Sequence, residues 1–240
     1  MSDPKAVVDL LIDSDERTGE GGFLAIRRVR LRNRRADGSA SPQYLSDSIA
    51  RPYGQDAVVV AIYAIEEGPS PSLHPDRMLP PFARRIVRVL VRDCLRPAQV
   101  LGRDPDRAPL PEPKPSLFVT ELVAGIIEDD DRGESGLRAR AAHEVFEEAG
   151  FTVDPASVVL LGAGLLPSPG AMIEKFYFVA VEVDPAAQQP LGGDGSPMEE
   201  GAVTRWLVLD DAIAACVRGE IFDLKTELGL RRLRDYTQAG

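Results

Sequence analysis

Cysteine and histidine are scarce in this sequence, which has two of each among its 240 residues. Cys94 and Cys216 lie far apart and form no CxxC motif, so their spacing does not indicate a disulfide framework. We expect both to be buried or inert thiols. The histidines, His74 and His143, are too few to build a zinc site from imidazole ligands.

Long apolar runs are also lacking. The longest spans residues 57–65, whereas a membrane-spanning helix needs about 20 predominantly apolar residues. The N-terminus shows no charged segment followed by an apolar one, as a signal peptide would. We therefore expect a cytoplasmic protein that does not enter a membrane.

Basic residues are outnumbered, with 28 Lys and Arg against 38 Asp and Glu and a net charge of -10. Neutralisation of phosphates by Lys and Arg supplies most of the non-specific affinity for nucleic acid, so we do not expect a nucleic-acid partner. A small anionic substrate remains compatible with this charge if a metal ion and a few arginines act locally.

Apolar patterning predicts about seven strands and three helices that do not alternate along the chain. This order argues against a Rossmann arrangement and predicts an α/β or α+β sandwich around a mixed sheet. Residues 1–20 are polar and unpatterned, and Asp37-Gly38 is a hairpin turn signal. The predicted strands cover residues 23–31, 57–65, 86–91, 117–127, 158–166, 175–183 and 202–209, and the helices cover residues 136–149, 210–218 and 224–236.

The most informative segment is SGLRARAAHEVFEEAGF at residues 135–151. Ser135 is the predicted N-cap of a helix, and Gly150 is the predicted residue after its last turn. At about 100° per residue, the helix has an apolar arc on one side and three carboxylates on the other. The apolar arc consists of Ala139, Ala142, Val145, Phe146 and Ala149, and the carboxylates are those of Glu144, Glu147 and Glu148.

Three carboxylates on one helical face repel one another unless a cation lies between them. Mg²⁺ is a hard ion that takes oxygen ligands and keeps waters or substrate phosphates in its shell. The helix therefore suits one or two Mg²⁺ ions. For a helix considered without its neighbours, a solvated acidic face is the alternative interpretation.

The neighbouring residues resemble those of a known family. Gly125 and the residues EVFEEAGF at 144–151 resemble the Nudix box, in which a glycine precedes a helix that carries paired glutamates. The flanks resemble the ADP-ribose and nucleoside diphosphate sugar pyrophosphatases of that family, and the resemblance covers roughly residues 23–235. The flanking matches are the ELVAG segment at 121–125, Leu95-Arg96-Pro97, Pro167, and Ser168-Pro-Gly170 followed by Glu174.

The resemblance implies a Nudix α/β/α sandwich with a mixed sheet and a small N-terminal β extension. Residues 1–56 would form this extension and join a partner subunit in a homodimer, and residues 57–240 would form the hydrolase domain. The implied activity is Mg²⁺-dependent hydrolysis of the pyrophosphate bond of ADP-ribose, giving AMP and ribose 5-phosphate, or of UDP-glucose. Mn²⁺ is the alternative metal.

The resemblance also implies roles for particular residues. Metal ligands would come from Glu144, Glu147 and Glu148, and from the backbone carbonyl of Ala124. The general base would lie on the loop at 192–200, where Glu200 matches the family better than Glu199. The remaining implied site residues contact substrate and are Arg51, Arg96, Gly170 and Glu174.

Three departures from the family pattern leave an alternative open. The distance from Gly125 to Glu144 is 19 positions, four more than in the family, and His143 stands where the box has an arginine. Ala202 replaces a second acidic residue that often follows the base. Hydrolysis of other dinucleotide-like substrates is one alternative. A regulatory protein that binds nucleotide sugars without hydrolysing them is another, and an interaction module with an acidic helix is a third.

Overall fold

The computed structural model describes residues 3–19, 21–51, 54–69, 83–110, 115–191 and 196–239. The chain divides into two compact units. The first comprises Met1–Asp56 together with Leu165–Lys175, and the second comprises Ala57–Gly164 together with Phe176–Gly240.

The first unit contains a three-stranded antiparallel sheet, formed in order by β1 (Val7–Thr18), β2 (Ala25–Arg35) and β3 (Tyr44–Ala50). Asp37-Gly38 forms the predicted turn after β2, because Gly38 has a φ of 80° and the Asp37 carboxylate accepts the backbone N–H of Ser39. Such positive φ values favour glycine.

Strand β1 lies within residues 1–20, where no strand was predicted, although Leu10 and Ile12 alternate with polar or differently directed residues there. Its acidic side chains pair across the strands with arginines of β2, as in Asp13 with Arg32 at 2.7 Å and Asp15 with Arg27 at 2.6 Å. Opposite charges facing each other across neighbouring strands stabilise a sheet. These charge pairs therefore add to the contribution of the apolar residues of β1.

The second unit is built on a seven-stranded mixed sheet. Its central strands are β4 (Ala57–Pro69) and β5 (Ala83–Leu95), which run antiparallel, and β4 pairs in parallel with β9 (Phe176–Glu182). The outer strands are β10 (Val203–Val208) beside β5 and β8 (Val159–Leu160) beside β9. Two short strands, β6 (Phe118–Glu121) and β7 (Val123–Ile126), pair with β5 and β4 respectively.

The described helices of this unit are α1 (Pro97–Gly102), α2 (Gly133–Ala149), α3 (Leu209–Val217) and α4 (Leu224–Ala239). Helix α2 packs on one face of the sheet and α3 and α4 pack on the other, whereas α1 buries none of its residues. On β4, Val58, Val60 and Ile62 pack with α2, whereas Val59, Ala61 and Tyr63 pack with α3 and α4. Alternate residues of a strand face opposite sides, and burying each large aliphatic side chain contributes about 2 kcal/mol. The predicted mixed-sheet α+β sandwich is thus confirmed.

Helix α2 departs from the prediction in two details. It begins at Gly133, which has a φ of 69°, so Ser135 lies inside the first turn and is not the N-cap. It ends as predicted at Gly150, which has a φ of 73° and whose N–H donates a hydrogen bond to the carbonyl of Phe146.

None of the described helices is both long and apolar enough to cross a membrane.

The buried face of α2 is also turned relative to the predicted arc. Phe146 is 47% exposed, and Ala139 is exposed as well. Alanine gives little apolar contrast around a helix, so the larger Leu137 and Val145 determine which side packs on the sheet. The residues that pack are Leu137, Ala141, Val145 and Ala149.

Candidate functional site

Two glutamates of α2 lie against strand β7. The backbone N–H of Ala124 donates to Glu148 Oε2 at 3.3 Å. The Glu144 carboxylate lies over the backbone of Gly125, so closely that a Cβ atom on this glycine would overlap it. The two carboxylates therefore mediate the contact between the helix and the strand that precedes it.

The expectation that these carboxylates face away from the packed side of α2 is wrong. The side chains of Glu144 and Glu148 are only 12% and 16% exposed. Glu148 follows Ala141 by seven positions, two turns of a helix, and so shares the face that Ala141 and Val145 bury. Because the buried face of the helix differs from the predicted one, Glu144 and Glu148 lie at the edge of the core and not in open solvent.

Arg92 on β5 links Glu148 to a second segment. Its side chain is buried, and its Nη1 donates to Glu148 Oε1 while its Nη2 donates to Glu199 Oε1 at 2.9 Å. Glu199 belongs to the 3₁₀ turn Pro197–Glu199, just before β10. One guanidinium therefore joins β5, α2 and this turn.

Sequence reasoning did not identify Arg92. The available signal was its position on β5, because Leu90 occupies the same face of this strand and packs with the α2 side of the core. A charged residue next to a core residue on the same strand face needs a partner of opposite charge if it is buried there. Identifying that partner required the fold, since Glu148 and Glu199 lie 56 and 107 positions further along the chain.

Burial and mutual repulsion determine the protonation of the glutamates. Burial, and after it the negative charge of Glu148, raises the pKa of Glu144 to about 7. Burial also raises the pKa of Glu148 above its ordinary value, although the cation of Arg92 opposes the shift. The charge of Arg140 opposes the rise in the pKa of Glu144, although Arg140 lies 3.8 Å from Glu144 and pairs more closely, at 2.7 Å, with Asp131.

Glu147 lies further out on α2, beside His143. The two side chains are partly exposed, and His143 Nδ1 lies 3.3 Å from Glu147 Oε2. Within the described ranges, one ligand atom each from His143, Glu144 and Glu147 lies within 4.8 Å of the others. The imidazole of His143 therefore approaches Glu147.

The donor set fits a hard divalent cation. Glu144, Glu147 and Glu148 offer carboxylate oxygens within two turns of one helix, and Gly125 leaves room for the Glu144 carboxylate at the strand. Crowded carboxylates of this kind are stabilised when a cation neutralises them. Ala124 contributes its N–H to Glu148, and its position in β7 is opposite Val59 of β4.

The two candidate bases differ in their surroundings. Glu199 is half-buried and contacts Arg92, whereas the side chain of Glu200, the next residue, is exposed. The turn that carries them is capped by Ser196, whose hydroxyl accepts the N–H of Met198 at 3.2 Å. Residues 192–195 of the predicted loop lie outside the described residues.

Arg96 follows β5 and pairs with Glu121. Its Nε and Nη2 donate to the two carboxylate oxygens at 2.7 and 3.0 Å. Glu121 is buried and also accepts from Lys225, which in turn contacts Asp223 at 2.9 Å. Burial opposes ionisation of Glu121, but the hydrogen bond from Arg96 and the charge of Lys225 outweigh it and lower its pKa.

The remaining predicted substrate residues belong to the first unit. Arg51 Nη2 lies 2.8 Å from Glu174 Oε1, both side chains are largely buried, and the Arg51 guanidinium stands 5.1 Å from the ring centroid of Phe23. Gly170 is exposed in a turn, where the N–H of Ala171 donates to the Ser168 carbonyl at 2.9 Å. Arg51 and Glu174 are thus in contact with each other.

Comparison with known proteins gives a structural likeness only. No protein-family model matches the chain, and no curated protein matches it. The crystal structure of an ADP compounds hydrolase matches 98% of this chain and 97% of its own, with a TM-score of 0.62 and 14% identity. The T. brucei MERS1–RNA complex matches 60% of this chain and 39% of its own, with a TM-score of 0.32 and 15% identity. The first likeness supports the mixed α+β fold, with a large mixed sheet and few helices.

Proposed function

We propose that this protein hydrolyses the pyrophosphate bond of a nucleoside diphosphate sugar, such as ADP-ribose or UDP-glucose, in a reaction that requires Mg²⁺ or Mn²⁺. The observation that carries the proposal is the set of carboxylates that α2 brings together. Glu144 lies against the backbone of Gly125, Glu148 accepts the N–H of Ala124, and Glu147 lies with Glu144 and His143 close enough to share one metal ion. It occurs in a chain whose fold resembles that of an ADP compounds hydrolase.

The α2 carboxylates would hold the metal, with the backbone carbonyl of Ala124 as a further ligand. When bound, a divalent cation neutralises phosphate oxygens and lowers the pKa of a coordinated water. The protein supplies a rigid framework for this chemistry, because Glu148 is fixed by the N–H of Ala124 and by Arg92. Fixed ligands need little reorganisation when charge develops on the phosphate.

Proton acceptance is assigned to the turn before β10. Glu200 is the candidate favoured by sequence, and Glu199 is the candidate favoured by its contact with Arg92, which also contacts Glu148. A general base must lie within hydrogen-bond reach of the water it deprotonates, directly or through one further water. We therefore favour Glu199 and keep Glu200 as the alternative.

Substrate contacts are assigned to four residues. Arg96 remains partly exposed although two hydrogen bonds to Glu121 fix its guanidinium plane, and a fixed guanidinium suits a phosphate oxygen. Arg51, Gly170 and Glu174 remain proposed contacts to the nucleotide sugar, with Glu174 accepting hydrogen bonds from ribose hydroxyls. These last three assignments rest on the resemblance described above.

We also propose that residues 57–240 form the catalytic domain and that residues 1–56 join two copies in a homodimer. The sheet of the first unit supports the second assignment, since one of its faces exposes apolar side chains next to the polar Arg27, Ser46 and Ser48. Leu10 and Ile12 of β1 are exposed there and line a groove of about 260 Å³ with Val29 and Leu31 of β2. Exposed apolar patches of this kind mark interaction surfaces.

The decisive experiment measures phosphate release from ADP-ribose, UDP-glucose, GDP-mannose, NADH and diadenosine polyphosphates, with a phosphatase as the coupling enzyme. Reactions contain Mg²⁺, Mn²⁺ or a chelator. Metal-dependent release from a sugar nucleotide supports the proposal and identifies the substrate. Binding of ADP-ribose by the folded protein without release from any compound favours the non-hydrolysing regulatory protein, to which His143 and Ala202 also point.

A further inference from the structure

Arg92 is the most deeply buried arginine of the candidate site, and it has two carboxylate partners on different segments. It stands on β5, which pairs with β4, β6 and β10 and is therefore held along its length. Its backbone position is adjacent to Asp93, which pairs with Val203 at the start of β10. The guanidinium thus extends from one of the most constrained parts of the sheet.

The two carboxylate partners of Arg92 lie outside the strands, so strand pairing does not determine their positions relative to each other. Glu148 is in the last turn of α2, and Glu199 is in the short 3₁₀ turn that precedes β10. A guanidinium is planar, and its nitrogens have fixed directions, so two carboxylates bound to Nη1 and Nη2 are fixed relative to each other. A buried cation also requires both partners, because an unpaired buried charge is costly.

We propose that Arg92 is a positioning residue, which holds the metal-binding carboxylate Glu148 and the loop carboxylate Glu199 in one arrangement. This inference rests on the proposed function. Arg92, a residue of strand β5, would thus orient Glu148 of the acidic helix. His143, a residue of the helix itself, contacts the outer glutamate, Glu147. Without Arg92, Glu199 would lose its ion pair with strand β5, and Glu148 would lose one of the two partners that fix its carboxylate.

The test replaces Arg92 by lysine, which keeps the charge but cannot offer two nitrogens in a fixed plane. We expect kcat to fall ten- to a hundredfold, as is usual when a group that orients metal ligands is removed, with KM changed less than about threefold. Mn²⁺ binding, measured alone by calorimetry, should weaken about tenfold. The matched control is Arg88→Lys on the same strand, where an exposed arginine pairs with Glu66 at 2.9 Å, and it should behave as the wild type.

A double-variant comparison distinguishes positioning from a general effect on folding. If Arg92 acts through Glu199, adding Arg92→Lys to Glu199→Gln should lower kcat less than Arg92→Lys does in the wild type. If the lysine variant does not fold, Arg92→Gln replaces it, since a neutral amide can still donate a hydrogen bond to one of the two carboxylates but cannot bind both in a fixed plane. The glutamine variant should show at least the same loss of kcat and of Mn²⁺ affinity.

The outcomes separate this inference from the function on which it rests. Wild-type hydrolysis together with unchanged kcat and Mn²⁺ affinity in folded Arg92 variants overturns the positioning role alone. If the wild type shows no detectable hydrolysis but Mn²⁺ binding is weaker in the variants, the positioning role of Arg92 is supported and the proposed hydrolase activity is overturned. A folded wild-type protein that neither hydrolyses substrate nor binds Mn²⁺ overturns both.

Discussion

Gly125 of β7 and Glu144 of α2 are in such close contact that no side chain fits between the strand and the carboxylate. The glycine is required here for lack of space, since a Cβ atom would overlap the carboxylate itself. Glu144 is mostly buried as a result, and burial contributes most to its raised pKa. The contact explains physically why a glycine that precedes the helix matters to the acidic cluster.

The first prediction concerns Gly125→Ala. The added methyl group should displace the Glu144 carboxylate, so we expect turnover to fall at least tenfold and Mn²⁺ binding to weaken. The matched control is Gly102→Ala, where an added Cβ meets no atom within 4 Å. Turnover and calorimetric Mn²⁺ titration check both variants. Unchanged turnover in folded Gly125→Ala would show that the position of Glu144 does not matter.

The sequence allowed the acidic helix and its closing glycine to be predicted, because both depend on local spacing, whereas the strand that contacts the helix was implied by the family resemblance. The direction of its buried face was not predictable, since the many alanines of α2 leave the apolar arc poorly defined. Leu137 and Val145 decide that direction, and their contribution emerges only when the helix meets the sheet. The side chains of Glu144 and Glu148 are largely buried for this reason.

Two further features depend on pairing between distant parts of the chain. Strand β1 has only a short stretch of apolar alternation, and its aspartates pair with arginines of β2 that lie further along the chain. The contact of Arg92 with Glu199 joins positions 107 residues apart. Charged pairs leave no periodic trace in a sequence, unlike buried apolar faces.

The second prediction separates the two candidate bases. Glu199→Gln removes a carboxylate beside Arg92 and Glu148, so we expect kcat to fall by about 10²- to 10⁴-fold, as for loss of a general base. Glu200→Gln alters an exposed neighbour in the same chain segment and should change kcat less than about threefold. Steady-state kinetics on the best substrate of the panel compares the two. The reverse order of effects would return the role of base to Glu200.

The third prediction concerns the apolar face of the first unit. Leu10 is 52% exposed on β1, on the face that carries Ile12 and Leu31. Leu10→Lys should prevent two copies from associating, because a charge would be buried at the interface. Leu45→Lys is the matched control, since Leu45 is 51% exposed and pairs with Arg30 of β2. Light scattering should give a dimer for the wild type and the control and a monomer of 26.0 kDa for Leu10→Lys. A monomeric wild type would exclude this interface.

The fourth prediction concerns the stability contributed by Glu121. Burial acts to raise its pKa, but the hydrogen bond from Arg96 and the charge of Lys225 keep it below the ordinary value of 4.5. A depressed pKa in the folded state stabilises the protein fully above that ordinary value. The contribution is lost as the pH falls from about 4.5 through the lowered pKa.

Glu121→Gln removes this contribution and leaves Lys225 with Asp223 as its carboxylate partner. At pH 7 we expect the free energy of unfolding of the variant to be about 3 kcal/mol lower than that of the wild type, as when one partner of a buried ion pair is removed. The difference should shrink on acidification towards pH 3, because the wild-type carboxylate becomes protonated while the variant has none to protonate. Urea unfolding at pH 7, 5, 4 and 3 measures both proteins, with Glu220→Gln as the control for an exposed glutamate paired with Arg218 at 2.7 Å. A difference that stays constant with pH would mean that Glu121 contributes through packing and not through its charge.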